Sequence, residues 1–112
     1  MLERDSELFG GRNRTRVLVA IRLLTETWAS ELSAMLGLRL YSIQTILASF
    51  EREGVIVSRT LGRTRQVSLN ERYFAKAELA ALLWKLGTND QKLQAALATR
   101  RRRPRSTGKA FR

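Results

Sequence analysis

Apolar residues recur at the helical period three times in the first half of this chain, and then the pattern changes to β-branched runs. Val17, Leu18, Ile21 and Leu24 fall on one face of a segment beginning at Asn13 and ending at Thr25 or Thr27. Leu32, Met35 and Leu36 do so in a short segment from Ala29 to Leu36, where Gly37 supplies a left-handed stop. Ile43, Ile46, Leu47 and Phe50 repeat the spacing between Tyr41 and Glu53, and Gly54 closes that helix. The second and third segments are separated only by Gly37, Leu38, Arg39 and Leu40. Two helices joined through so short a Gly-containing turn form a helix-turn-helix pattern.

Val55–Leu61 and Thr64–Leu69 then flank the dipeptide Gly62-Arg63. A two-residue loop with Gly first predicts a hairpin with a type II′ turn, because Gly accepts the positive φ required there. That turn would pair Leu61 with Thr64, Ser58 with Val67 and Ile56 with Leu69. A further helix is predicted from about Phe74 or Ala75 to Leu86, with one more short helical stretch between Asp90 and Thr99. The expected fold class is mainly α with a small β-hairpin. Its parts are an N-terminal lead (1–12), a core of helices and hairpin (13–70), a C-terminal helical segment (71–99) and a basic tail (100–112).

Charge separates the tail from the body. The 112 residues carry 21 Lys plus Arg, 17 of them Arg, against 10 Asp plus Glu, a formal charge of +11. Seven basic residues and no acid lie from Arg100 to Arg112, while the other 99 residues carry 14 basic and 10 acidic side chains, a balance of only +4. The tail has no apolar period and also holds the sole proline, Pro104, so it is expected to be disordered. Without Cys or His the chain can form no disulfide, thiolate site or imidazole site, and His-based acid–base chemistry is excluded. No run of 18 apolar residues is present, and Met1 to Glu7 is acidic rather than signal-like. A soluble, cytoplasmic protein with no membrane association and no cofactor is expected.

The stretch Ala29-Ser30-Glu31-Leu32 through Gly37-Leu38, followed by Ile43, Leu47 and Phe50-Glu51-Arg52-Glu53-Gly54-Val55-Ile56, resembles bacterial transcription regulators of the ArsR-like and MarR-like groups. Gly62-Arg63-Thr64-Arg65 with Ser68-Leu69-Asn70 is similar to their wing and its exit, and Leu8-Phe9-Gly10 to the opening of ArsR-like domains. The likeness spans about residues 8 to 86. It implies a winged helix-turn-helix that binds double-stranded DNA and regulates transcription, acting as a repressor by promoter occlusion. Arg39 stands where such domains usually carry a Ser, Thr or Asp cap, and the metal-binding Cys and His of ArsR-type sensors have no counterpart. Nothing matches the nucleotidyltransferase domain to which related winged helices are sometimes joined.

On this reading Arg39, Tyr41, Ser42, Gln44 and Thr45 meet base edges, since no acid interrupts the outward face formed with Ala48 and Ser49. Arg59, Arg63, Thr64 and Arg65 meet the phosphate backbone or minor groove from the hairpin tip, where no acid adjoins them in sequence. The bland alternatives are a solvated helix face and an edge hairpin whose arginines block aggregation. Arg12, Arg14 and Arg16 oppose the dipole at the start of the first helix, which leaves phosphate contact or pairing with Glu3, Asp5 or Glu7 as their reason.

The segment Ala75–Leu86 is apolar nearly all round, more than one buried stripe requires. Leu79, Leu83 and Trp84 are therefore expected at a homodimer interface. A two-fold dimer would place two reading helices about 34 Å apart, one DNA turn. Three other functions remain open. One is a protein-interaction module whose basic tail gives only non-specific nucleic-acid binding. Another is an RNA-binding accessory, disfavoured because most aromatics fall at apparent core or interface positions. Last comes an enzyme, for which the chain offers no acid–base pair, phosphate loop or nucleophile constellation. A small-molecule effector is left unassigned.

Overall fold

The computed structural model describes residues 7–102. Five helices and a three-stranded antiparallel sheet follow one another in the order α1 (Arg12–Leu24), β1 (Thr27–Trp28), α2 (Ala29–Leu36), α3 (Leu40–Arg52), β2 (Ile56–Leu61), β3 (Thr64–Leu69), α4 (Lys76–Thr88) and α5 (Gln91–Arg102). The sheet is ordered β1-β3-β2. Pairing between β2 and β3 follows the predicted register, with Leu61 opposite Thr64, Ser58 opposite Val67 and Ile56 opposite Leu69. Gly62 takes φ +63 while Arg63 keeps a negative φ, as a Gly-first two-residue turn requires. The short β1, which pairs Thr27 with Val67 and Trp28 with Gln66, has too few residues to leave a period in the sequence.

Helix α1 is the centre of the molecule. Val17, Leu18, Val19, Ala20, Ile21 and Leu23 are all buried, more than the single face that its spacing predicts, because α2, α4 and the sheet approach it from different sides. Where α4 crosses it, Gly87 leaves no room for a side chain: a Cβ there would lie 2.9 Å from Leu23 Cδ1 and 3.0 Å from Val19 Cγ1. Helix α2 ends on Gly37 at φ +68, the left-handed stop expected of it. Helix α3 turns Ile43, Leu47 and Phe50 into the core, each contributing about 2 kcal/mol of apolar burial.

Three expectations need correction. Leu83 is fully buried inside the chain's own core and is not available to a second copy. Part of the surplus apolar surface of α4 is met within the chain by α1 and by α5, which buries Leu93 and Leu97. Of the three residues assigned to a dimer interface, Leu79 is half-buried against the core and only Trp84, at 46% exposure, faces outward. The tail also begins later than its charge suggests. Helix α5 continues to Arg102, and Arg100 Nε donates to Glu31 Oε2 at 3.1 Å, so this arginine ties the last helix to α2. Residues 103–112 lie outside the described part of the chain.

Arg14 and Arg16 of α1 are engaged within the fold. Arg14 stacks its guanidinium 4.3 Å over the Phe50 ring, donates from Nε to the Phe9 carbonyl at 2.7 Å and from an Nη to Ser49 Oγ at 2.8 Å. Arg16 donates to the carbonyl of Leu36 at 2.9 Å, serving the C-terminal end of α2. Phe9 is tied to α1 by its N–H, which donates to Thr15 Oγ1, whereas Leu8 stays exposed.

Candidate nucleic-acid interface

With Ile43, Leu47 and Phe50 turned inward, the helical period places Tyr41, Gln44, Thr45, Ala48 and Arg52 on the outward face of α3, and all five are exposed. Tyr41, at 78% exposure, is the most prominent aromatic of the face. Arg39 precedes the helix in an extended conformation and is also exposed; its side chain makes no cap hydrogen bond. Ser42 is half-buried on the flank of the face rather than at its centre. Thr45 Oγ1 donates to the Tyr41 carbonyl at 3.0 Å. Its methyl group and oxygen lone pairs are what remain to meet a partner.

The hairpin adjoins this helix through a bonded contact. Ser58 Oγ donates to Glu51 Oε2 at 2.7 Å, and an Arg65 Nη donates to Glu51 Oε1 at 2.9 Å. Arg65 Nε also donates to Ser58 Oγ at 3.0 Å. An acid therefore does lie beside the hairpin arginines, contrary to their sequence neighbourhood. Arg65 neutralises the carboxylate on the flank of α3 and remains largely exposed. No local spacing announces this contact, which joins residues 7 and 14 positions apart across two elements.

Arg59 is not part of the same surface. Side chains alternate along a strand, and Ser58 points toward α3, so Arg59 points to the opposite face of the hairpin. There it lines a cavity with Arg22 and Arg72. Arg63 and Thr64 remain at the exposed tip. The structure thus brings Arg39, Tyr41, Gln44 and Thr45 together on α3, sets Arg65 beside them, and separates Arg59 from the group.

No family model, curated protein or solved structure matches this chain. Among the described residues no helix is long and apolar enough to cross a membrane.

Proposed function

We propose that this chain is a winged helix-turn-helix regulator that binds double-stranded DNA without catalysis, as a repressor that occludes promoter DNA in the bacterial cytoplasm. The observation that carries this reading is the exposed strip of α3: Arg39, Tyr41, Gln44, Thr45, Ala48 and Arg52 hold two cations and no carboxylate, and the flanking Glu51 is already neutralised by Arg65. A merely solvated helix face has no reason to exclude acids, whereas a face that enters the major groove between two phosphate backbones must. Gln44 offers the donor–acceptor pair that adenine accepts, Thr45 a methyl for thymine, and Arg39 a fork for guanine or phosphate. Arg63 and Thr64 at the hairpin tip, with Arg65 behind them, follow the adjacent backbone or minor groove. Trp84, the exposed aromatic of α4, is the apolar residue on which a second copy would dock.

Changing Gln44 and Thr45 together to Ala tests the assignment. Discrimination between a preferred and a scrambled duplex is expected to fall by about 2–4 kcal/mol in total, with bulk affinity for scrambled DNA nearly unchanged. Full discrimination in the double variant would place the reading face elsewhere.

A protein-interaction module is the second reading, favoured by the exposure of Leu40 and Tyr41 at the start of α3 and of Leu61 on the hairpin. Truncation after Arg102 distinguishes the two while sparing the Arg100–Glu31 tie. Specific duplex binding survives it if α3 reads DNA, and all DNA binding disappears if only the tail holds nucleic acid.

A further inference from the structure

The outer face of the hairpin, the C-terminal end of α1 and the link from β3 to α4 border a half-open cavity of about 700 Å³. That volume falls within the range of small-molecule sites. Four cations line it, Arg22, Arg59, Arg72 and Lys76, against two carboxylates, Glu26 and Glu71. Lys76 and Glu71 are paired at 3.3 Å, and Arg22 is held in place by donating from Nε to the Ala80 carbonyl at 3.0 Å while stacking over Trp84. The side chains of Arg59 and Arg72 make no hydrogen bond or ion pair among the described residues. Between these cations the wall includes Ile21 and Val57, and Val57 is 42% exposed although β-branched and apolar.

The rim carries the chain's one non-glycine residue with positive φ among those described. Thr25 takes φ 71 and ψ −54, and the Glu26 N–H donates to the Leu24 carbonyl at 2.8 Å, a tight γ-turn that a β-branched residue adopts only at a cost. Strain of this kind concentrates at ligand sites. It swings Thr25 and Glu26 out of the helical path so that both line the cavity.

We infer that this cavity is a binding site for a small organic anion, a carboxylate or sulfonate that carries an apolar body. Its acid group would meet Arg59 and Arg72, and its apolar body would cover Val57. Surplus positive charge within a concave wall concentrates anions there, and exposed apolar surface beside it selects an organic anion over an inorganic one. The reverse side of the same two strands carries Ser58 and Arg65, which hold the hairpin to α3. The site stands whether or not α3 reads DNA.

A fluorescence titration of the full chain with anilinonaphthalene sulfonate, a sulfonate with an apolar body, tests the assignment. A single saturable site is expected. Arg59→Glu with Arg72→Glu should weaken it about tenfold or more, whereas Arg39→Glu with Arg63→Glu, which removes the same charge elsewhere, should weaken it by less than about twofold. Equal weakening by the two pairs, or a titration that does not saturate, would overturn the site. On the unaltered chain, naphthalene sulfonate should displace the dye and neutral naphthalene methanol should not. Displacement by both alike would overturn the preference for an anion.

Discussion

Glu31 and Arg100, 69 residues apart, join α2 to the last helix of the described chain through a 3.1 Å hydrogen bond, with the Glu31 side chain only 1% exposed. Thr27 Oγ1 donates to the same carboxylate at 2.6 Å. A carboxylate so far from solvent needs its donors, because desolvation penalises the charge unless bonds replace water. Arg100→Ala is therefore expected to destabilise the fold by about 1–3 kcal/mol, measured by chemical denaturation. Replacing Glu31 and Arg100 with Met and Thr27 with Val should recover most of that loss, since it leaves behind neither a buried charge nor an unpaired hydroxyl. A single Arg100→Ala variant as stable as the parent would mean that α5 is held by Leu93 and Leu97 alone.

The crossing of α1 and α4 depends on Gly87. A larger side chain there meets Leu23 and Val19 at 2.9–3.0 Å, closer than packed carbons tolerate. Ala regains about 1 kcal/mol of helix propensity over Gly, and the Leu23 tip has some freedom to yield, so Gly87→Ala should change stability little. Gly87→Val cannot be absorbed in that way and should cost about 1–3 kcal/mol. Thermal unfolding of the two variants side by side gives the comparison, and equal midpoints would contradict the close approach.

Arg65 serves two surfaces at once, and its removal should show both. Arg65→Ala deletes a cation from the hairpin and also uncovers Glu51 on the flank of α3. Its loss of duplex affinity at physiological salt is expected to exceed that of Arg63→Ala, because the bared carboxylate would then repel phosphate. The salt slope should fall by about one unit for Arg63→Ala and by more for Arg65→Ala. Fluorescence anisotropy across a salt series measures both slopes. Indistinguishable variants would mean that Glu51 is remote from the bound DNA.

Local signals carried most of the fold. The two-residue turn at Gly62-Arg63 fixes every partner across the hairpin, and Gly37 marks the end of α2, because loop length and positive φ are local constraints. The outward face of α3 was equally legible, since burying Ile43, Leu47 and Phe50 determines what points away from them. Sidedness of the hairpin follows from the same period: with Ile56, Val67 and Leu69 buried, alternation puts Arg65 on the side of α3 and Arg59 on the other. Arg14 on Phe50, Arg65 on Glu51 and Arg100 on Glu31 left no comparable trace. Each joins residues from separate elements, and charge pairs across such distances carry no period. The dimer expectation erred at Leu83 because an apolar helix signals only that it must be covered, and here α1 and α5 do part of the covering.

Selection of binding sites from a pool of random duplex DNA by the full chain, followed by sequencing, bears most directly on whether the α3 strip reads bases. Enrichment of a defined motif is expected, repeated as a palindrome with half-sites about 10 base pairs apart if two copies bind together. A pool that emerges without sequence preference would contradict it and leave the chain's positive charge as a non-specific attraction to phosphate.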